Sequence, residues 1–95
     1  MNSIPYGRQS IDQDDINAVV STLQSDYLTQ GPKVKEFEDK FAEYVGAKYG
    51  IAVNNATSGL HLAVLSLGLK KGERVITTPI TFAASANCIR YAGGE

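Results

Sequence analysis

The stretch Asn54-Asn55-Ala56-Thr57-Ser58-Gly59-Leu60-His61-Leu62-Ala63 is preceded by the apolar run Ile51-Ala52-Val53 and followed, one turn later, by Val75-Ile76-Thr77-Thr78-Pro79-Ile80-Thr81-Phe82. Residues 51–53 read as a strand that stops at small polar residues, and those residues open a strongly apolar helix over 57–67. A helix start offers backbone N–H groups without intrahelical partners and a partial positive charge. Small residues there let an anion come close, and the Thr57 and Ser58 hydroxyls add donors, so the turn has the make-up of a phosphate pocket. A helix merely capped by Thr57 or Ser58 is the simpler alternative. The second run weighs against it. Residues 75–78 read as another strand, ended by Pro79, and Thr81-Phe82 starts a further helix, over about 82–91, beside the pocket. An aromatic ring at that place could stack on a flat ligand.

Outward from this centre, Asp12 suits a helix N-cap with Asp15 three residues on, and Ile11 and Ile16 hold the two positions of a hydrophobic staple. Ile16, Val19, Val20 and Leu23 recur at helical spacing, which predicts a helix with one apolar stripe. A second helix starts after Gly31 with Pro32 near its first position, carries Val34, Phe37, Phe41 and Val45 on one face, and ends at Gly46. Glu36 and Lys40 pair across one turn on its solvated side. Between the two helices, residues 25–31 form a polar loop in which Tyr27 and Leu28 either anchor the chain or contact a ligand. The helix over 57–67 is apolar nearly all round, which predicts a central position covered on most sides, and Gly68 ends it. Two short strands joined by a helix form a parallel crossover that must be buried on both faces. Two strands cannot satisfy that alone, so the chain reads as the opening segment of a larger three-layer α/β domain.

Composition narrows the function. A formal net charge of -1 over 95 residues leaves no basic footprint for nucleic acid or an anionic membrane. The longest apolar stretch, 60–69, contains His61 and Ser66 and falls short of the ~20 residues a membrane span needs. Met1-Asn2-Ser3-Ile4-Pro5 shows neither a basic nor an apolar signal region, so a cytoplasmic location is expected. The single cysteine, Cys88, lies at helical spacing from Ala84 and Ala92 and is expected to be a buried small hydrophobe. The single histidine, His61, flanked by Leu60 and Leu62, is expected in a core or interface and not as a base.

The order FE-x-x-FA-x-Y-x-G-x-K at 37–48, NNATSGLHLA at 54–63 and VITTPITFAASAN at 75–87 resembles the N-terminal part of the DegT/StrS-type sugar aminotransferases, pyridoxal-phosphate enzymes of fold type I. The resemblance implies that residues 1–95 belong to the cofactor-binding large domain, with an N-terminal arm at 1–11. It further implies that Ala56, Thr57 and Ser58 hold the pyridoxal 5′-phosphate and that Phe82 stacks on its ring. Tyr6, Asp26, Tyr27, Leu28, Thr29 and Ala56 would contact the nucleotide-sugar. DYLTQG at 26–31, ATS at 56–58 and TTPITF at 77–82 are most similar to a branch acting on UDP-linked 4-keto-6-deoxy sugars. That branch uses L-glutamate as amino donor, in the synthesis of pseudaminic acid for bacterial surface glycans. A homodimer or larger homo-oligomer is implied as well.

Pyridoxal chemistry needs an anion site, a flat contact on the ring, an acid for the pyridine nitrogen and a lysine that carries the cofactor. The segment supplies the first two. Its six lysines, Lys33, Lys35, Lys40, Lys48, Lys70 and Lys71, all fall on polar helix faces or in turns, whereas a cofactor-carrying lysine needs a depressed pKa. No catalytic residue is therefore assigned here, the cofactor lysine is expected beyond Glu95, and the segment alone is expected to be inactive. Two alternatives remain: a 3-dehydratase of the same family, with histidine in place of that lysine, and a non-catalytic phosphate-binding or interaction module.

Overall fold

A computed structural model describes residues 4–95; the first three residues of the expected arm lie outside the described residues. The chain divides into two compact units, Met1–Gly50 and Ile51–Glu95. Its helices are α1 (Gln13–Leu23), α2 (Pro32–Val45), α3 (Ala56–Ser66) and α4 (Ala84–Tyr91).

In the first unit, α1 begins as its sequence predicts. The Asp12 carboxylate accepts from the N–H groups of Asp14 and Asp15 at 2.9 and 3.0 Å, and the Asp15 side chain accepts from the Asp12 N–H at 3.0 Å. This capping box satisfies donors at both sides of the junction. Ile11, Ile16, Val19 and Val20 line one shallow apolar hollow on α1, and no residue of the helix is buried. Pro32 opens α2 behind Gly31, which offers no side-chain cap. Phe37 and Phe41 stack on its apolar face with centroids 5.8 Å apart, and Ala42 is buried. At the far end Gly46 turns left-handed (φ 69), and the Ala47 N–H reaches back to the Ala42 carbonyl at 2.8 Å, closing a Schellman motif. The polar side carries Lys33 and Lys40 on Glu36 at 2.6 and 2.8 Å, with Lys35 paired to Asp39.

In the second unit, α3 packs against α4. His61 meets Tyr91 edge-on at 5.5 Å between centroids, and Ala84, Cys88 and Ile89 supply the buried side. Cys88 is thus the small core residue expected, its thiol directed to the Ser85 carbonyl at 3.4 Å. The expected cover of α3 is only partly realised. No residue of α3 is buried, and Leu60, Leu62 and Leu65 stay exposed, because an all-round apolar helix needs neighbours on several sides and α4 covers one. α4 starts at Ala84, two residues later than expected. Before it, Ser85 and Ala86 donate to the Phe82 and Ala83 carbonyls at 3.0 and 3.1 Å, a tighter three-residue turn.

The two expected strands need correction. Neither 51–53 nor 75–78 forms a regular strand among the described residues. A strand is defined by its ladder, and extended sequence alone does not make one. Two backbone bonds do join distant residues here: Glu95 donates to the Glu73 carbonyl at 2.8 Å and its own carbonyl accepts from Val75 N–H at 2.9 Å. They straddle Arg74 but do not extend into a ladder.

Candidate functional site

α3 opens at Asn55, not at Thr57 or Ser58. Asn55 is extended, and its side-chain oxygen accepts the Ser58 N–H at 2.8 Å while its carbonyl accepts the Gly59 N–H at 3.2 Å. Asn55 Nδ2 in turn donates to Asn54 Oδ1 at 3.1 Å. The donors expected for a phosphate are therefore unequal. The Ser58 N–H is taken by the cap, whereas the N–H groups of Ala56 and Thr57 and the Thr57 hydroxyl make no hydrogen bond among the described residues. Ala56 and Thr57 are exposed, Ser58 is half-buried, and α3 has no acidic side chain in its first turn. Two adjacent backbone donors, one hydroxyl and an uncompensated helix end form a donor set that fits a phosphate. Asn55 is the cap that sequence alone passed over. Its signal was available: an amide three residues before Ser58, at a junction where Asn ranks among the strongest caps.

Phe82 lies in the same unit, in the turn before α4, and is 78% exposed, so it does not serve as a core residue there. Thr81 and Ser85 hydroxyls pair across this turn at 3.1 Å and hold the chain beneath it.

Tyr6 and the loop residues belong to the first unit. Tyr6 is fully exposed and makes no hydrogen bond among the described residues. The loop is shaped from within. The Ser25 hydroxyl reaches the Thr22 and Tyr27 carbonyls at 2.7 and 3.2 Å, Gln30 turns left-handed (φ 49), and Gly31 passes so near Tyr27 that a Cβ at Gly31 would lie 2.6 Å from the Tyr27 Cβ. Leu28 lines a hollow with Ala18, Val19, Thr22 and Leu23 yet stays 65% exposed, and Asp26, Tyr27 and Thr29 are exposed too. Tyr6 and the loop are thus described apart from Ala56, Thr57, Ser58 and Phe82, which lie in the second unit.

The lysines are unsuited to carrying the cofactor. All six are exposed. A hydrogen bond from Lys35 to Asp39 and one from Lys40 to Glu36 hold both ammonium groups above the usual lysine range, opposite to what a nucleophilic amine requires. Among the described residues, no group of histidine, cysteine and acidic side chains is placed to hold a metal, and no helix is long and apolar enough to cross a membrane.

Residues 9–95 match the DegT/DnrJ/EryC1/StrS aminotransferase family, and the chain belongs to it. It is 49% identical over 92 residues to the UDP-4-amino-4,6-dideoxy-N-acetyl-beta-L-altrosamine transaminase of Campylobacter jejuni (serotype O:23/36), which covers 97% of this chain and 24% of that protein. The spore coat polysaccharide biosynthesis protein SpsC of Bacillus subtilis is 44% identical over 90 residues, or 95% of this chain and 23% of SpsC. Among solved structures, Spr1654 of Streptococcus pneumoniae, grouped with the sugar aminotransferases, superposes in its PLP form with a TM-score of 0.87 at 33% identity. That match covers 99% of this chain and 24% of Spr1654, and the PMP form matches equally. The chain spans about a quarter of the length of the curated relatives it matches. Its fold is accordingly α/β, the N-terminal segment of the three-layer large domain of fold type I pyridoxal-phosphate transferases.

Proposed function

We propose that the whole protein is a pyridoxal-phosphate-dependent aminotransferase that moves the amino group of L-glutamate to C4 of a UDP-linked 4-keto-6-deoxy sugar, in pseudaminic acid synthesis. The start of α3 is the observation that carries this reading, because its donor set is open and neutral-capped and lies within the residues that match the family. The N–H groups of Ala56 and Thr57 and the Thr57 hydroxyl bind the 5′-phosphate, and Ser58 contributes its hydroxyl alone, its N–H being engaged by Asn55. Phe82 lays its exposed ring on the pyridine face. When bound, the cofactor supplies the electron sink that lets an amino group leave one substrate and join another. Tyr6, Asp26, Tyr27, Leu28 and Thr29 of the first unit contact the nucleotide-sugar. The protein works in the cytoplasm as a homodimer or larger homo-oligomer, which covers α1 and α3 together with the remaining domain. All six lysines are exposed, which supports a cofactor-carrying residue elsewhere in the polypeptide.

The test is turnover by the purified whole protein with L-glutamate and a UDP-linked 4-keto-6-deoxy sugar. Formation of 2-oxoglutarate in step with the 4-amino sugar is expected. Loss of the C3 hydroxyl without amino transfer would establish the dehydratase instead, and absence of both reactions, with no cofactor retained, would leave a binding module.

A further inference from the structure

We infer that Asn55 is a positioning residue for the cofactor phosphate, and that its being an amide and not a carboxylate keeps the start of α3 able to receive an anion. This rests on the function proposed above and assigns a role to a residue outside the phosphate contacts. Asn55 selects the donors: by taking the Ser58 N–H at 2.8 Å it leaves the Ala56 and Thr57 N–H groups as the pair offered outward. The bond from Asn55 Nδ2 to Asn54 Oδ1, at 3.1 Å, keeps the amide turned so that its oxygen faces the helix. For capping alone, aspartate would serve as well as asparagine, and the helix dipole would favour it. Asp12 does that work at α1. At position 55, however, a carboxylate would stand within one residue of the bound phosphate, and like charges a few ångströms apart repel. The neutral acceptor gives the cap its hydrogen bond and leaves the positive end of the helix to the ligand.

The experiment compares Asn55→Asp, Asn55→Ser and Thr57→Ala in the whole protein, reading the thermal midpoint of the apo form and the dissociation constants of pyridoxal phosphate and of pyridoxal, which lacks the phosphate. Asn55→Asp is expected to keep the apo midpoint, to weaken pyridoxal phosphate by ~10-fold or more and to leave pyridoxal binding unchanged. Asn55→Ser, a neutral cap, is expected to hold pyridoxal phosphate within about 3-fold of the parent protein. If Asn55→Asp binds pyridoxal phosphate like the parent while Thr57→Ala weakens it, the inference fails and the site stands. If neither variant changes it, the phosphate assignment itself fails. An Asn55→Asp protein that loses its apo midpoint, or that weakens pyridoxal and pyridoxal phosphate alike, also overturns the inference, since the effect would then come from the fold and not from charge beside the phosphate.

Discussion

α1 and α3 are both eleven-residue helices that begin behind an extended residue whose side chain caps them, yet their first turns are opposite in character. At α1 the cap is Asp12, two further carboxylates follow at Asp14 and Asp15, and the capping box consumes the donors. At α3 the cap is neutral Asn55, the next residues are Ala56 and Thr57, and two N–H groups and a hydroxyl remain open. The first arrangement is complete in itself, because its own side chains supply the negative charge a helix start favours. The second has its hydrogen-bond cap but no charge, and it needs an anion from elsewhere. The difference teaches that stability and ligand binding use the same backbone feature, and that the sign of the neighbouring side chains decides between them.

The sharpest way to break this comparison is Thr57→Ala. The Thr57 hydroxyl has no partner among the described residues, so its removal costs the apo protein little. With the cofactor bound it should cost about 1–3 kcal/mol of affinity, the scale of a hydrogen bond to a charged group. Equilibrium titration of the apo enzyme with pyridoxal phosphate measures it, and an unchanged dissociation constant would place the phosphate elsewhere. The mirror experiment is Asp12→Ala, which removes the side-chain acceptor of the Asp14 and Asp15 N–H groups. It should lower unfolding free energy by about 1 kcal/mol, as cap deletions do, with no effect on cofactor affinity. A weakened cofactor in that variant would mean the two helix starts are not independent, and the contrast drawn between them would collapse.

The same contrast shows what could be read from sequence. The box at Asp12 and Asp15 was legible because each partner is a residue type with one strong local preference, and so were the Pro32 and Gly46 boundaries of α2. The start of α3 was legible as a helix opening at small polar residues but not in its detail. Three of the four residues from Asn55 to Ser58 carry side chains able to cap, and only backbone direction shows that Asn55 does so and that the Ser58 N–H is thereby removed from the donor set. The apolar runs 51–53 and 75–78 were legible as extended but not as strands, because a ladder depends on residues distant in the chain, as the pairing of Glu95 around Arg74 illustrates. Likewise the apolar circumference of α3 tells which surfaces seek cover without telling what covers them.

Phe82→Leu sharpens the reading from the other side of the proposed cofactor. Because Phe82 is 78% exposed, the substitution should leave the apo thermal midpoint where it is. It should loosen the bound ring by about 0.5–1 kcal/mol, the lower part of the range for aromatic stacking beyond area burial. Stopped-flow release of the cofactor gives the number. A drop in apo stability with normal cofactor release would instead make Phe82 a packing residue of the assembled domain.

The smallest effect belongs to α2, whose start is a third kind. Gly31 gives it no side-chain cap, Pro32 removes one donor, and Lys33 and Lys35 place positive charge at the positive end of the helix. Glu36 offsets this by bonding Lys33 at 2.6 Å and Lys40 at 2.8 Å, and those two contacts, Lys33 first, hold its carboxyl at about 2 against an ordinary 4.5. A carboxyl with a lowered folded-state pKa stabilises the fold above its unfolded value, so the contribution is complete above pH 4.5 and disappears as the pH falls from there through about 2. The pair is exposed, so salt should erode it. Carboxyl NMR should therefore show Glu36 titrating at about 2 at low ionic strength and drifting toward 4.5 as salt is added. In Glu36→Gln the helical signal of α2 should lose its dependence on pH between those limits. A Glu36 that titrates at 4.5 even at low salt would mean that the Lys33 and Lys40 contacts are not maintained in solution, and that α2 tolerates an uncapped, positively charged start without help.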